Sequence, residues 1–449
     1  MQTIETINNL LNGLVWGVPM IALISGAGIF LTYKLRFLQI TKLFIWWKGT
    51  FSQLVKRSEI KDDRNITPFQ AVSTAMASTV GTGNIVGVAT AITLGGPGAI
   101  FWMWVSALFG MATKYCEIVL ALKFRMVDEN GVYHGGPMYY IQNGLGIKWL
   151  AAAFSLFGAL AAFGIGNMTQ ANAVSSSLEQ MFSIPPLYTG IALSIICAVV
   201  IIGGIKRIAS VTEKIVPFMA VFYIICVIVI LFMNADRIPG AFGAIFEGAF
   251  SMQTIGGGIM GYALIRAMRF GIARGVFSNE AGLGSAPIAH AASRTKEPVE
   301  QGFWGIFEVF VDTIVICTLT GLVILTSGLL DGNISGAPLV LAAFNQSLGE
   351  LGGIFFSIAV LFFAGATMLG WSYYGQQCLG YLTNNDKIAG LCYKLLFSML
   401  IITGATGGLT LIWSVSDTLN GLMAIPNLIA LLLLHKVVID LTKRYFAQR

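Results

Sequence analysis

One apolar segment, residues 68–94, is long enough to cross a bilayer as a helix, yet its centre favours a break in that helix. The centre reads ASTVGTGN (77–84), and its two glycines, Gly81 and Gly83, each weaken a helix by roughly 1 kcal/mol relative to alanine. Main chain that leaves the helix at membrane depth is tolerated only inside the protein or along a polar cavity. Its carbonyl and N–H groups then form cation and anion sites. The alternative is a small-residue face for close helix packing.

The rest of the chain has the composition of a polytopic membrane protein. Of its 449 residues, 56% are hydrophobic and only 11% are charged, against roughly 25% charged in soluble domains. The net charge of +6 lies in loops, which indicates contact with lipid headgroups rather than nucleic-acid binding. The six cysteines and three histidines are scattered, which disfavours a disulfide framework, a metal cluster and an enzyme. The opening MQTIETINNL lacks a basic region and a cleavage site, so we expect no removable signal peptide.

The apolar runs predict an all-α integral membrane protein with about eleven spanning helices. A basic loop between the first two spans is cytoplasmic by the positive-inside rule, so we expect the N-terminus outside and the C-terminus in the cytoplasm. Two further segments, residues 133–141 and 238–250, are expected at the membrane surface. The predicted spans are residues 11–33, 68–94, 98–122, 149–182, 187–205, 215–233, a seventh between 252 and 293, 302–327, 353–381, 388–407 and 419–434.

The seventh span can be placed in two ways. If it ends near residue 265, the three arginines between residues 266 and 274 are cytoplasmic and any break lies at residues 256–258. If it begins near residue 259, the break falls in FSNEAGLG (277–284), and some of the arginines line an outer vestibule. Charge rules mildly favour the first placement. Internal repetition favours the second, because a Gly-x-Gly would then interrupt the first helix of two successive five-span sets.

The second placement divides the chain into an N-terminal span with its basic loop (1–65) and two five-helix halves (66–235 and 236–449). Because five is odd, the halves have opposite orientations in the membrane. Transporters that bind substrate near the bilayer midplane are commonly built from such inverted repeats, with glycine-interrupted helices in matching positions. The sequence therefore predicts a secondary transporter with two discontinuous helices. It contains no Walker-type phosphate-binding run, which argues against ATP as the driving force.

Three motifs resemble those of the alanine/glycine:cation symporters, also called the sodium:alanine symporters. They are GGPGAIFWMWVSALFG (95–110), GGPMYY (135–140) and FSNEAGLGSAP (277–287). The resemblance implies the leucine-transporter-type (LeuT) fold, a five-plus-five inverted repeat, here with one extra N-terminal helix. It also implies sodium-coupled uptake of small neutral amino acids, alanine and glycine, across a prokaryotic plasma membrane. The alternative to sodium coupling is a proton-coupled amino-acid transporter, and a membrane channel is a weaker alternative.

We expect the two interrupted helices to hold the substrate through their main chain. The carboxylate of a small zwitterion is expected at the N–H groups of Thr82 and Gly83, at the start of an outer half-helix. Its ammonium group is expected at the carbonyl oxygens of Ser78, Thr79 and Phe277. The alternative for the hydroxyl side chains is a bond back to their own helix. Further candidates, for which helix packing is the alternative, are Asn167, Gln170, Ser278, Gly282 and the pocket walls Leu283, Met368 and Trp371.

The resemblance places a sodium ion beside the first break. Its ligands would be oxygen atoms, as a hard cation requires. The implied ligands are the carbonyl oxygens of Ala77, Val80 and Ala364 and the hydroxyl of Thr367. The fold often has a second hydroxyl directly after that threonine, whereas this chain has Met368, which leaves the identity of the cation open. A weaker candidate for a second cation site is formed by Asn84, Ser278 and Asn279.

Acidic residues inside the predicted spans need partners, because an isolated charge in a bilayer is costly. Glu280, in the second break, is expected either to pair with an arginine such as Arg274 or to stabilise the broken main chain. A proton-carrying role is a further alternative. The expected partners are the amino acid, sodium and membrane lipids, and no oligomer is required. The other acidic residues of this kind are Glu117, Glu308 and Asp312.

Overall fold

In the computed structural model, residues 2–55, 64–250, 262–330, 334–407 and 410–448 are described, and they are mostly helical, as predicted. A short antiparallel ladder pairs β1 (Met126–Val127) with β2 (Tyr133–His134). The first eleven helices are α1 (Gln2–Val15), α2 (Val18–Lys34), α3 (Leu38–Thr41), α4 (Leu43–Val55), α5 (Pro68–Thr79), α6 (Val86–Gly95), α7 (Ala99–Lys123), α8 (Pro137–Tyr140), α9 (Lys148–Phe163), α10 (Thr169–Phe182) and α11 (Pro186–Ile202).

The chain also contains short 3₁₀ and π-helical segments and a further ten α-helices. Two 3₁₀ turns lie at Thr82–Asn84 and Ala235–Arg237, and three π-helical segments lie at Ile141–Leu145, Gly164–Met168 and Phe310–Cys317. The helices are α12 (Gly204–Met233), α13 (Ile238–Phe250), α14 (Tyr262–Asn279), α15 (Ala286–Ala291), α16 (Pro298–Val309), α17 (Thr318–Ser327), α18 (Ala337–Leu348), α19 (Glu350–Leu382), α20 (Lys387–Thr406) and α21 (Thr410–Ala447).

Within the described ranges, eight helical stretches are long and apolar enough to cross a membrane, and one bent pair of helices makes a ninth candidate. The helix α11 is apolar but shorter, at 17 residues. The expected total of about eleven spans stays a prediction. An apolar helix, α18, also lies where the sequence predicts only a loop between two spans. The eight stretches are Glu5–Lys34, Ala99–Lys123, Lys148–Phe182, Gly204–Met233, Pro298–Ser327, Glu350–Leu382, Lys387–Thr406 and Ser414–Ala447.

The first break lies between α5 and α6. The helix α5 starts with a capping box, in which Gln70 N–H donates to Thr67 Oγ1 and Thr67 N–H donates to Gln70 Oε1, both across 3.0 Å. It ends at Thr79, because Val80 (φ −81°, ψ 87°) and Gly81 (φ −137°, ψ −153°) leave the helical region. The two halves of the span are bent by 55° relative to each other. The predicted interruption is confirmed.

The second break lies between α14 and α15. Here Glu280 has a positive φ of 56°, and Gly282 and Gly284 have φ values of 94° and 84°, which glycine adopts without a steric penalty. The break therefore falls at residues 280–285, as the second placement of the seventh span predicts, and the start of that span stays a prediction. Phe277 and Ser278, predicted inside the break, instead form the end of α14. The alternative break at residues 256–258 lies outside the described residues.

Both breaks are enclosed by other helices. The helix α5 packs against α12, α15 and α19, and α14 packs against α6 and α7. Val80 in the first break and Leu283 in the second have no exposed surface. The irregular main chain therefore lies inside the protein, as membrane depth requires.

Candidate substrate and cation site

Gly83, in the first break, contacts the end of α14, just before the second break. A Cβ atom at this position would lie 3.5 Å from Ser278 Cα and 3.5 Å from Phe277 Cδ1. These are ordinary van der Waals distances, so the turn after α5 packs against the end of α14, and a side chain longer than a methyl group at position 83 would meet it. Two interrupted helices that are far apart in sequence therefore present their main chains to one region.

At the first break, the main-chain bonds of α5 stop and a different pattern begins. Gly81 N–H donates to Asn84 Oδ1 across 2.9 Å, so it does not continue the helix to Ala77 O. Asn84 N–H then donates to Gly81 O across 3.2 Å in a 3₁₀ turn. Thr82 and Gly83 lie in this first turn of the outer half, where N–H groups lack intrahelical acceptors. This arrangement suits a carboxylate.

At the second break, side chains take the N–H groups that would continue α14. Ala281 N–H donates to Asn279 Oδ1, and Gly282 N–H donates to Glu117 Oε1, each across 3.0 Å. The carbonyl oxygens of Phe277 and Ser278 therefore do not accept from these N–H groups four residues on. Such carbonyls at a helix end attract a cationic group.

The hydroxyl groups of Ser78 and Thr79 bond back to α5. Ser78 Oγ donates to Thr74 O across 3.4 Å, and Thr79 Oγ1 donates to Ala75 O across 3.3 Å. A Cβ atom at Gly370 would lie only 2.0 Å from Ser78 Oγ, so α5 and α19 are in close contact here. Hydrogen bonding of these hydroxyls to their own helix is the alternative given in the sequence analysis. The main-chain oxygens of Ser78 and Thr79 therefore remain the candidate ligands.

The two candidate amides of the fourth span have different surroundings. Gln170 reaches the first break, because Thr82 Oγ1 donates to its Oε1 across 3.1 Å and its Nε2 donates to Ile165 O across 3.0 Å. Asn167, in the π-helical segment, instead donates from Nδ2 to Phe397 O of α20 across 2.6 Å. Its buried Oδ1 has no partner among the described residues. The structure thus brings Gln170, rather than the Asn167 amide nitrogen, to the break.

Trp371 and Glu280 connect α19 to the second break. Trp371 Nε1 donates to Glu280 Oε1 across 3.0 Å, and Ser285 Oγ donates to Glu280 Oε2 across 2.5 Å. The Glu280 carboxylate therefore links α19 to Ser285 at the end of the break through side-chain hydrogen bonds, and a pairing with Arg274 is not found among the described residues. A Cβ atom at Gly166 would lie 2.1 Å from Trp371 Cβ, so the indole packs directly on the fourth span. The other two predicted pocket walls, Leu283 and Met368, are fully buried.

One predicted sodium ligand, Thr367, lies where α19 passes the first break. A Cβ atom at Gly81 would lie 2.4 Å from Thr367 Oγ1, so this hydroxyl lies directly beside the non-helical turn. Thr367 Oγ1 donates to Phe363 O across 2.9 Å, which leaves its lone pairs for another contact. Ala77, Val80 and Ala364 are fully buried. A donor set of carbonyl and hydroxyl oxygens fits an alkali cation.

A buried carboxylate, Asp312, joins the weaker second cation candidate. Asn84 Nδ2 donates to Asp312 Oδ1 across 2.6 Å, and Ser278 Oγ donates to Asp312 Oδ2 across 3.0 Å. Thr313 Oγ1 also donates to Oδ2, across 2.7 Å, and accepts from Asn279 Nδ2. The sequence analysis named Asn84, Ser278 and Asn279 as a candidate cation site. It separately predicted that Asp312 needs a partner, but it did not predict that these residues supply it.

Asn427, which the sequence analysis did not identify, fixes the second break from α21. Its Nδ2 donates to Glu117 Oε1 across 2.6 Å and to Gly282 O across 2.9 Å, and its Oδ1 accepts from Tyr140. Glu117 Oε1 also accepts from Gly282 N–H. A glycine with a left-handed main chain is thus held on both its N–H and its carbonyl. An asparagine inside an apolar run was the available signal, because such polar groups usually face the protein interior.

Glu308 has its partners in a separate buried cluster. Lys114 Nζ lies 3.3 Å from Glu308 Oε1, and His290 Nε2 lies 3.2 Å from Oε2. Gln301 accepts from Ser293 and Thr295 at Oε1, so its Nε2 donates to His290 Nδ1 across 2.8 Å. Both ring nitrogens of His290 therefore have a hydrogen-bond partner. One lysine and one carboxylate compensate each other, which is what the interior of a membrane protein requires.

Comparison with known proteins identifies the family. The family model described as "Sodium:alanine symporter family" matches residues 1–449. The chain belongs to the sodium:alanine symporter family. It is 51% identical over 445 residues to a protein named sodium/alanine symporter AgcS of Methanococcus maripaludis, covering 97% of this chain and 96% of that one. It is also 47% identical over 448 residues to an uncharacterised transporter of Haemophilus influenzae, covering 99% and 97%.

A solved structure supports the fold of this symporter. The crystal structure of MhsT in complex with L-phenylalanine matches with a TM-score of 0.59 and 16% identity, covering 84% of this chain and 90% of that one. At this identity the likeness concerns the fold alone. The predicted family and the LeuT-type fold class are confirmed, and the family members are transporters rather than enzymes.

Proposed function

We propose that the protein is a sodium-coupled symporter that takes up alanine and glycine by alternating access. The observation that carries the proposal is the contact of Gly83, in the first break, with Phe277 and Ser278 at the end of α14, which brings the two interrupted helices together. A relative at 51% identity is named a sodium/alanine symporter, which supports the same substrate and ion. Sodium is the co-transported ion of the family.

In this proposal the substrate lies between the breaks with its charges on main-chain groups. Its carboxylate accepts from the N–H groups of Thr82 and Gly83, and its ammonium group donates to the carbonyls of Ser78, Thr79 and Phe277. The walls favour a small side chain, because the pocket is closed by large or tightly packed groups. The remaining wall residues are Asn167, Gln170, Ser278, Gly282, Leu283, Met368 and Trp371.

The ion binds beside the substrate, to the carbonyls of Ala77, Val80 and Ala364 and the hydroxyl of Thr367. Entry of one cation down a membrane potential of about 100 mV releases roughly 2.3 kcal/mol, which is enough to concentrate a neutral substrate. Asp312, with Asn84 and Ser278, supplies a second place for a cation. A proton on this carboxylate would give the alternative, proton-coupled mechanism.

The proposed membrane arrangement follows from the sequence. Residues 66–235 and 236–449 form two inverted five-helix repeats, preceded by an extra helix and basic loop in residues 1–65. By the positive-inside rule, the N-terminus lies outside and the C-terminus in the cytoplasm. One chain contains both breaks, so a monomer suffices and only membrane lipids surround it.

Uptake into proteoliposomes tests the function. Purified protein is reconstituted, and the accumulation of radiolabelled alanine and glycine is measured with sodium, lithium and proton gradients imposed one at a time. We expect accumulation above the external concentration only with an inward sodium gradient, and recovery of unchanged substrate. Accumulation driven by protons alone would favour the alternative coupling. Equilibration without accumulation under every gradient would indicate a channel.

A further inference from the structure

Main-chain hydrogen bonds join the two interrupted helices where α5 begins and α15 ends, the side that the predicted topology places in the cytoplasm. Ile66, just before α5, pairs with Ser293, just after α15, in a parallel bridge. Ile66 N–H donates to Ala292 O across 3.3 Å, and Arg294 N–H donates to Ile66 O across 2.9 Å. The inner ends of the two helices are therefore bonded directly to each other.

Arg125, in the loop after α7, binds the main chain that follows α15. Its Nη1 donates to Ser293 O across 2.6 Å and to Ala291 O across 3.3 Å, and its Nη2 donates to Thr295 O across 2.8 Å. The guanidinium also lies 3.9 Å from the centroid of the Tyr133 ring, in a cation–π contact. Carbonyl groups at a helix end attract a cation, so one side chain fixes the end of α15.

The hairpin of β1 and β2 contacts both helix ends. Asn65 Nδ2, on the α5 side, donates to Gly131 O across 3.0 Å, and Tyr133 N–H donates to Asn65 Oδ1 across 2.9 Å. A Cβ atom at Gly135 would lie 2.4 Å from Ala291 Cβ, so the end of the hairpin packs directly on α15. One loop therefore holds the start of α5 and the end of α15 in one place.

The outer halves of the same two helices also pack closely on each other. A Cβ atom at Gly95, the last residue of α6, would lie 3.1 Å from Phe270 Cβ and 3.2 Å from Arg266 O of α14. The two interrupted helices are thus in contact along both their outer and their inner halves.

We propose that residues 65–66, 125–135 and 291–295 form an inner clasp that keeps the inner ends of α5 and α15 together throughout the transport cycle, with Arg125 as its positioning residue. Movement of α5 alone would break the bonds that Ile66 and Asn65 make, and broken bonds of buried groups are costly. Joint movement keeps them. Opening towards the cytoplasm therefore displaces both inner halves as one unit. The inference rests on the proposed function, because it concerns alternating access.

Spin-label distances test the clasp without depending on uptake. Arg64→Cys with Lys296→Cys places one label beside α5 and one beside α15, and Lys296→Cys with Lys387→Cys measures the distance to the start of α20. All three positions are exposed, and the background carries Cys392→Ser because Cys392 is exposed too. Double electron–electron resonance is recorded on purified full-length protein with sodium and alanine, and without either.

We expect the distance between labels 64 and 296 to be the same in both conditions and the distance between labels 296 and 387 to change. A ligand-dependent distance between labels 64 and 296 would show that the inner ends separate, and would overturn the clasp. Constant distances for both pairs would overturn the joint movement.

Arg125→Gln tests the positioning residue. It removes the guanidinium from three carbonyl groups, so the distance distribution between labels 64 and 296 should broaden. The maximal rate of alanine uptake should fall about tenfold, with the half-saturating alanine concentration unchanged. Arg125→Lys, which keeps the charge, should recover part of the rate, and Lys123→Gln, at an exposed neighbouring position, is the control. A wild-type distribution and rate in Arg125→Gln would overturn the role of Arg125.

A disulfide across the bridge separates the possible failures. Neighbouring strands lie about 4.8 Å apart, within the reach of a disulfide, so Ile66→Cys with Ser293→Cys should cross-link on oxidation. The oxidised protein should take up alanine at the rate of the reduced protein. A loss of uptake on oxidation that a reductant reverses would overturn the clasp. Absence of sodium-driven uptake by the wild type would instead reject the proposed function, and the spin-label distances would still decide on the clasp.

Discussion

The indole N–H of Trp371 donates to Glu280 Oε1 across 3.0 Å, which joins the long helix α19 to the non-helical turn of the second break. Trp371 therefore has two separable properties, its bulk against Gly166 and its hydrogen bond to Glu280. If it is a wall of the pocket, its bulk limits the size of the substrate, and its N–H holds the break in place.

Two substitutions separate these properties. Trp371→Ala should let larger neutral amino acids compete with alanine uptake, because it opens the wall. Trp371→Phe should keep the alanine preference but lower the uptake rate, because the buried Glu280 oxygen loses a donor at a cost of about 1–3 kcal/mol. Competition profiles in proteoliposomes measure both effects. An unaltered profile for Trp371→Ala would assign the residue to packing alone.

Thr367→Val should weaken the dependence on sodium. The valine keeps the shape but removes the only side-chain oxygen of the proposed ion site, so half-maximal uptake should need about tenfold more sodium. Thr367→Ser is the control, because it retains the hydroxyl beside Gly81 and should titrate like the wild type. A sodium titration that is unchanged in Thr367→Val would remove this residue from the ligand set.

Asp312→Asn tests the second cation place. The amide preserves the shape of the side chain but removes its charge, so a cation held by this carboxylate should be lost. If two ions bind cooperatively, the Hill coefficient of the sodium titration should fall from between one and two to about one. The exposed Asp236→Asn variant serves as the control. A wild-type Hill coefficient above one in Asp312→Asn would restrict this carboxylate to a structural role.

Asn427→Ala should destabilise the second break. It leaves Gly282 O without its donor and Glu117 Oε1 with one donor fewer, each at a cost of about 1–3 kcal/mol. We expect a lower melting temperature in detergent together with slower alanine uptake. Asn143→Ala, at an exposed position whose amide donates to Phe124 O, is the control. Equal melting temperatures for the two variants would contradict the stabilising role of Asn427.

The sequence predicts the broken helices because their cause is local. Gly81 and Gly83, or Gly282 and Gly284, weaken a helix whatever its surroundings, and the apolar flanks set the membrane depth. The bounds of the second break are less predictable. A glycine indicates that a helix ends nearby, but it does not fix the residue at which the helix ends. Here Glu280, with a positive φ of 56°, takes the first non-helical position.

The partners of the buried polar groups depend on contacts between distant segments. Asn84 and Asp312 are 228 residues apart, and Asn427 and Glu117 are 310 apart, so no local pattern pairs them. The sequence shows that such groups need partners, because an unpaired polar group at membrane depth is costly. It does not show which helix supplies them. Glu280 illustrates this, since Arg274 is much nearer in sequence than Trp371, but Trp371 and not Arg274 donates a hydrogen bond to it.

The most direct test of the account is alanine binding to Gly83→Leu. Leucine at position 83 would fill the space between the breaks, whereas Gly87→Leu, on the same half-helix, has no neighbour within 4 Å of its Cβ atom and serves as the control. In equilibrium dialysis with radiolabelled alanine and saturating sodium, we expect Gly83→Leu to lose tight, sodium-dependent alanine binding and Gly87→Leu to retain it, with both variants monodisperse and folded. Wild-type tight binding by folded Gly83→Leu would contradict a substrate site between the two broken helices.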